Sequence, residues 1–454
     1  MNIFKINRSY IEDRFDPKYI LYLQNIHGFR YKVFPLKKFL IEKPQYGTAE
    51  IGIPRTSEQQ PRYIRITDIN DFGELDDSLG ATAENCPNEY FLYKNDFLFA
   101  RSGTVGKTYL HKYLSYPAFF AGYMIRVRVD ETTLLSDYLF AYTQTSFYKN
   151  WVHAIQRAAV QANINAAEYA SLPIPLPPLS VQQNIADLYT NAQNQRKIKL
   201  EESKKLLESV DDCLLSELGI ELPQKDNSLK NRIFKVSSFQ LVGTRWDCSS
   251  NKNDFSLSSK KFENVKLCDV VNINPSVHFP SNIEEITFIP MEAIDEEYGE
   301  ITSNYRKKVS ESAGFTRFMQ GDLIWAKITP CMQNGKSAIV KKTINGYACG
   351  STEFFVLRCN KNKIYENYLF YIMHLKKLLE YATNFFGGNA GQQRVSKDFL
   401  LNLEIPLPPL SKQTEIAFRL QQIQNQAKQL KNEADMILQE TKQKIEKMIL
   451  GEEQ

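Results

Sequence analysis

The run Gly103-Thr104-Val105-Gly106-Lys107-Thr108, echoed later by Gly335-Lys336-Ser337, offers the most tempting chemistry in this sequence, because a glycine-rich turn ending in Gly-Lys-Ser/Thr can wrap a nucleotide phosphate. Such a loop needs another glycine five residues before the Gly-Lys, and those positions hold Arg101 and Pro330. A nucleotide site is therefore rejected. Two readings stay open: the turns, with Arg101, Lys107, Lys327 and Lys336, present amides and cations to a phosphate backbone, or they are plain hairpin turns. Other chemistry is missing. His27, His111, His153, His278 and His374 have no metal-ligand spacing. Neither a nucleophile elbow nor a glycine-rich cofactor loop after a strand occurs. The only Asn-Pro, Asn274-Pro275, runs into Ser276-Val277 rather than the Pro-aromatic continuation of an adenine methyltransferase. No catalytic residue, metal or cofactor is expected in this chain.

What remains are amide-rich loops: Gln161, Asn163 and Asn165, and later Gly387-Gly388-Asn389 with Gln392, Gln393 and Arg394. Gln, Asn and Arg can engage base edges through two hydrogen bonds at once, so such loops suit direct reading of DNA; the other reading left open is that they are Asn/Gln-capped turns without a ligand.

The elements that must position these loops occur twice. Ile174-Pro175-Leu176-Pro177-Pro178-Leu179-Ser180 returns as Ile405-Pro406-Leu407-Pro408-Pro409-Leu410-Ser411. A shift of about 230 residues also joins Arg14-Phe15-Asp16 to Arg245-Trp246-Asp247, Asp96 to Asp322, Gly106-Lys107 to Gly335-Lys336, Tyr138 to Tyr368 and Gln161 to Gln392. The chain is a tandem duplication. Within each half, short apolar segments (Tyr63 to Ile69, Phe97 to Arg101, Lys107 to Leu110, Tyr123 to Val129, and Phe288 to Ile294, Leu323 to Ile328, Ser337 to Val340, Phe354 to Leu357) read as strands of a mixed sheet. Helices are expected from Pro17 to Gly28, from Ser136 to Ile155 and from Tyr365 to Thr383.

Proline removes donors and favours extended backbone, so each IPLPPL is a stiff lead-in to a long helix, with Ser180 and Ser411 as the expected N-caps and Gln183 closing a capping box with Ser180. The last helix spaces Ile416, Leu420, Ile423, Ala427, Leu430, Ala434, Ile437 and Thr441 like a coiled-coil seam, the alternative being ordinary amphipathic helices packed on their own domains. The first offers Ile185, Tyr189, Leu206 and Val210, but Arg196, Lys199 and Ser203 interrupt its middle and are open to a partner subunit. The expected division is a globular part over 1–175, a helix over 176–218, a linker over 219–237, a second globular part over 238–405 and a terminal helix over 406–454, a mixed α/β (α+β) class.

The 454 residues exceed one core. With 56 basic against 52 acidic residues, charge permits nucleic-acid binding without demanding it. Seven cysteines without a CxxC pair, no leader and no spanning apolar run lead to the expectation of a soluble, cytoplasmic protein.

The tandem repeat, the two proline runs leading into Gln182 and Gln413, and the terminal heptad helix together resemble the specificity subunits of type I restriction-modification systems, over essentially the whole chain. The resemblance implies two target-recognition domains separated by two antiparallel helices with pseudo-twofold symmetry, each domain reading one half of a bipartite, asymmetric site in double-stranded DNA. It implies a chain without catalytic activity. Two methyltransferase subunits carrying S-adenosylmethionine would dock on it, with motor-nuclease subunits using ATP and Mg. Two alternatives share the sequence: a specificity subunit of a two-component type IIB-like system, and a coiled-coil scaffold that binds no DNA.

Overall fold

The computed structural model describes residues 19, 22, 28–76, 78–112, 115–156, 162–222, 255–389 and 391–452. Most of the helix expected from Pro17 to Gly28, most of the expected linker and the pairs Arg14 to Asp16 and Arg245 to Asp247 lie outside the described residues. The chain divides into two compact units: residues 1–200 with 432–454, and residues 201–431.

In the first unit, one antiparallel sheet has the order Gln45–Tyr46, Met124–Val127, Phe97–Ala100, Thr108–Leu110. A second, mixed sheet runs Ile53–Pro54, Ala81–Thr82, Arg62–Ile64, Ala118–Phe120, its last pair parallel. Helices α1 (Ser136–Thr143), α2 (Ser146–Ile155) and α3 (Ala166–Ala170) follow, then the strand Pro173–Pro175, antiparallel to Val33–Pro35, and the long helix α4 (Leu179–Leu218).

The second unit repeats the plan. Its antiparallel sheet is Val271–Ile273, Phe354–Cys359, Leu323–Ala326, Ser337–Ile339, and its mixed sheet Tyr305–Lys308, Glu285–Ile289, Tyr347–Gly350, Thr316–Met319. Helices α5 (Glu366–His374), α6 (Lys376–Ala382) and α7 (Lys397–Asn402) lead to the strand Glu404–Pro406, paired with Asn264–Lys266, and to α8 (Leu410–Leu450).

The central strand explains the layering. Phe97 and Phe99 face the helices, packed with Tyr138, Tyr148 and Trp151, while Leu98 faces the mixed sheet with Ile64 and Phe120. Leu323, Trp325 and Ile324 divide in the same way. A strand buried on both faces is a continuous apolar run, which is why these segments read so clearly in sequence. The expected strands divide between two four-stranded sheets in each unit rather than forming one. Tyr63 to Ile69 and Phe288 to Ile294 end as strands at Ile64 and Ile289 and turn into 3-10 helices, Ile66–Asp68 and Met291–Ala293. The expected helix from Ser136 to Ile155 breaks at Gln144-Thr145, and its counterpart at Leu375.

The proline junction is built alike in both units. The long helices open at Leu179 and Leu410, with the carbonyls of Pro178 and Pro409 accepting their first turns, so Ser180 and Ser411 lie inside the helix rather than capping it. Gln183, expected to close a capping box, donates to Asp187 instead (2.8 Å). A buried glutamine ties the corner. Gln182 accepts from the Leu135 amide (2.9 Å) and donates to the carbonyls of Thr133 and Pro177 (both 3.0 Å). Gln413 accepts from the Tyr365 amide (2.8 Å) and donates to Lys363 and Pro408 (2.9 and 2.8 Å). The hydroxyls of Tyr138 and Tyr368 close the next carbonyls, those of Pro175 and Pro406 (2.6 and 2.7 Å).

In the second unit α4 and α8 run antiparallel, since Ser203 donates to the Ala427 carbonyl (2.8 Å) while Glu217 meets Lys412 and Arg419 (3.1 and 2.5 Å). Val210, Ile416 and Leu420 are buried there, with Ile423 partly so. Ile185 and Tyr189 are buried beside Leu438 and Ile445 in the first unit, with Ile437 at the margin. Leu206 and Leu430 are half-buried. Mid-helix burial falls on small or polar residues, Ser203, Gln424, Ala427 and Ala434. The interrupting residues are all engaged within their own unit: Arg196 with Glu74 (3.2 Å), Lys199 with Glu433 (2.6 Å) and Ser203 with Ala427.

Gln182→Ala or Gln413→Ala strands three backbone groups in a buried corner and is expected to cost about 1–3 kcal/mol. Chemical denaturation of the full chain checks this; no change in midpoint would show that water replaces the amide.

Candidate nucleic-acid interface

Three segments meet at one corner of each unit. In the first, the Arg101 amide donates to the Tyr123 carbonyl (2.9 Å), the Arg101 carbonyl accepts from the Ile164 amide (2.9 Å), and Asn163 bridges Ser102. In the second, the Lys327 amide donates to the Glu353 carbonyl (2.9 Å), the Lys327 carbonyl accepts from the Val395 amide (2.9 Å), and Arg394 bridges Ile328. The scaffold is the same and the side chains differ. Arg101 with Asn163 and Tyr123 corresponds to Lys327 with Arg394 and Glu353.

In the first corner Arg101 lies over the Tyr46 ring (4.6 Å), its buried Nε without a hydrogen-bond partner among the described residues, and Tyr123 is 67% exposed. Asn163 is exposed, and Gln161 lies outside the described residues. In the second corner Arg394 grips Glu353 through Nε and Nη2 (2.8 Å each) and donates from Nη1 to the Gln392 carbonyl (2.9 Å). That hydrogen-bonded arginine holds the Glu353 carboxyl below its ordinary pKa. The Gln393 carbonyl accepts from the Thr329 amide (2.9 Å), and Lys327 lies over Phe355 (5.6 Å). A guanidinium held by one fork keeps its plane fixed, and the rest of its donors define a direction for a ligand.

The remaining candidates sit elsewhere. The Lys107 ammonium donates to the Ile69 carbonyl (2.8 Å) and pairs with Asp71 (3.3 Å), and Lys336 reaches the Met291 carbonyl (3.4 Å). Each ties the Gly-Lys turn to the neighbouring 3-10 turn. Asn165 caps α3, exchanging hydrogen bonds with Glu168 (2.9 Å each), a box legible as Asn-x-x-Glu. Sequence reasoning missed Tyr46, Tyr123 and Glu353. The repeat offset could have paired Tyr123 with Glu353, but an acid opposite an arginine leaves no local pattern.

A second missed device ties one loop of each unit to the long helices. Phe72-Gly73-Glu74 in the first unit matches Tyr298-Gly299-Glu300 in the second. Phe72 lies between Arg196 (4.0 Å) and Lys442 (5.3 Å), and Glu74 takes Arg196. Burial beside Lys149 and Arg196 pushes Lys442 down to about 8. Tyr298 lies under Lys428 and Lys431 (5.6 Å each), with Glu300 pairing to Lys428 (2.5 Å). The glycines have φ +76° and +64°, and a Cβ at either would strike Phe140 or Phe370 at 2.6 or 2.2 Å, so no other residue fits without displacing the ring.

The helix breaks are explained here as well. Gln144 donates to the Thr108 hydroxyl (3.0 Å), and at the equivalent place His374 Nδ1 lies 3.1 Å from the Ser337 hydroxyl. Burial, with Lys376 nearby, pushes His374 down to about 4. The unfolded ring takes a proton near pH 6.5 that the folded one refuses, so stability from this site is intact above about 6.5 and is lost as pH falls toward about 4. His374→Gln, which copies the first unit, is expected to flatten the pH dependence of unfolding of the 201–431 unit between pH 6.5 and 4. An unchanged slope would show that the ring is solvated.

Among the described residues no group of His, Cys, Asp and Glu could hold a metal ion, and no helix is long and apolar enough to cross a membrane. The family model for the type I restriction modification DNA specificity domain matches twice, over residues 41–208 and 259–437. The type I restriction enzyme EcoAI specificity subunit of Escherichia coli is 33% identical over 189 residues, 41% of this chain and 32% of that protein. The EcoEI specificity subunit of the same species is 30% identical over an equal span. The chain thus matches about a third of the length of these relatives. A solved structure concerning complex assembly and conformational transition of the type I R-M system superposes over 93% of this chain and 96% of that one, with TM-score 0.54 and 16% identity, a likeness of fold. Two family matches on two copies of one scaffold, each presenting its own polar corner, place this chain in the type I restriction-modification DNA specificity family.

Proposed function

We propose that this chain is a DNA sequence-specificity subunit whose two units each read one half of a bipartite site in double-stranded DNA, and which does no chemistry itself. The observation that carries the reading is the pair of corners: an identical backbone frame holds Arg101, Tyr123 and Asn163 in one unit and Lys327, Glu353 and Arg394 in the other. Duplicating a frame while changing its polar heads is what two different base sequences require. Methyltransferase subunits bound to the chain, carrying S-adenosylmethionine, supply the modification, and motor-nuclease subunits using ATP and Mg supply restriction, in the cytoplasm as a defence against phage. The long helices act as the spacer. At 40 residues α4 is about 60 Å long.

Co-expression of the chain with its methyltransferase, followed by genome-wide mapping of methylated adenine, is expected to give a two-part motif with a fixed unread gap. Methylation without such a motif would sink the reading. Arg394→Ala is expected to relax one half of the motif, with a loss of about 1–3 kcal/mol in discrimination at one base pair, and to leave the other half intact. Inserting one helical turn into both α4 and α8 is expected to lengthen the gap while the bases read stay the same.

A further inference from the structure

The outer faces of the two mixed sheets are built on the same row of positions and finished differently. In the first unit the row across the sheet is Ala81, Tyr63, Phe119, Phe91. It is closed: Tyr63 and Phe119 are buried (4% and 0% exposed), stacked at 4.8 Å, and covered by Ala83, Cys86 and Tyr90. In the second unit the equivalent row is Tyr305, Phe288, Cys349, Arg317. An arginine stands where the first unit has Phe91, and an exposed tyrosine where it has Ala81.

This second face combines half-buried rings with cations. Lys307 lies over both Phe288 and Phe315 (4.9 Å each), and Arg317 over Phe279 (4.7 Å). Phe315 packs edge-on to Phe288, and Tyr347 to Phe279. The neighbouring Arg306 is neutralised by Glu285 (3.0 Å), whereas Lys307 and Arg317 have no carboxylate at ion-pair distance among the described residues. Gly350, which ends the central strand of the face, lies three residues from Glu353 of the reading corner.

We propose that this outer face binds the sugar-phosphate backbone of duplex DNA through Lys307 and Arg317, flanking the half-site that the second unit reads. The inference rests on the DNA-reading function proposed above. Unneutralised cations on opposite edge strands suit phosphates, and flat rings between them suit the apolar edge of the sugars. The first unit lacks the contact because its face is filled by its own chain. Backbone anchoring of the complex is therefore asymmetric.

The test is the salt dependence of binding by the full chain assembled with its methyltransferase, on a duplex carrying its mapped motif. Lys307→Gln with Arg317→Gln is expected to make the plot of log affinity against log salt shallower by about 1.8, two phosphate contacts at about 0.9 each. Affinity should fall on the order of tenfold at about 0.1 M salt, with the methylated motif and the melting temperature unchanged. If the double variant unfolds, Lys307→Gln alone is expected to reduce the slope by about 0.9. A wild-type slope in the variants overturns the inference and leaves the DNA-reading function standing. So does weakened association with the methyltransferase at a wild-type DNA slope, which would make the face a protein contact. Absence of any sequence-specific, salt-dependent binding by the wild-type assembly removes both.

Discussion

A single buried amide in each unit holds together the three pieces on which everything else depends. From the first turn of each long helix, Gln182 and Gln413 bond at once to the loop before α1 or α5 and to the proline run that leads into the helix. The prolines make this necessary. They supply rigidity but no amide donors, so the carbonyls of the corner need a partner from elsewhere, and a glutamine with one acceptor and two donors meets the need. With Tyr138 and Tyr368 sealing the next carbonyls, hydrogen bonds add to the start of each long helix a direction that apolar packing alone, which tolerates slippage, would not give.

The residues repeated between the halves are mostly those that satisfy buried polar groups. Asp96 and Asp322 take Arg128 and Arg358 beneath the sheets. The Gly-Lys lysines tie the turns beside them, and the Phe-Gly-Glu and Tyr-Gly-Glu loops are pinned to the long helices. Buried polar groups have few alternative partners, so they hold their places, whereas exposed corner residues are free to differ. The unlike corners and the unlike outer faces of the mixed sheets both follow from this division.

The coiled-coil rhythm accounts for part of the burial on the long helices. Ile416, Leu420, Ala427, Ala434 and Thr441 are buried as spaced, and Gln424 and Ser203 are buried beside them, off that seam. The globular parts press loops against the helices there, with Phe72 over Arg196 and Tyr371 donating to Gln424 (2.9 Å). A helix contacted on several sides need not keep a single stripe. Charges that interrupt a seam can be docking points for the chain's own loops.

From the sequence alone the duplication, the central strands, the proline-to-helix junctions and the family resemblance were all legible, because each rests on local pattern or on comparison of the chain with itself. Tertiary structure decided the rest. It separated Asn163 and Arg394, which stand at equivalent corners of the two units, from Asn165, Lys107 and Lys336, which are consumed by a cap and two turns. It also brought in Tyr123 and Glu353. The reason is physical: an amide or ammonium group has the same composition whether it faces a ligand or a carbonyl of its own chain, and only the three-dimensional neighbours determine which.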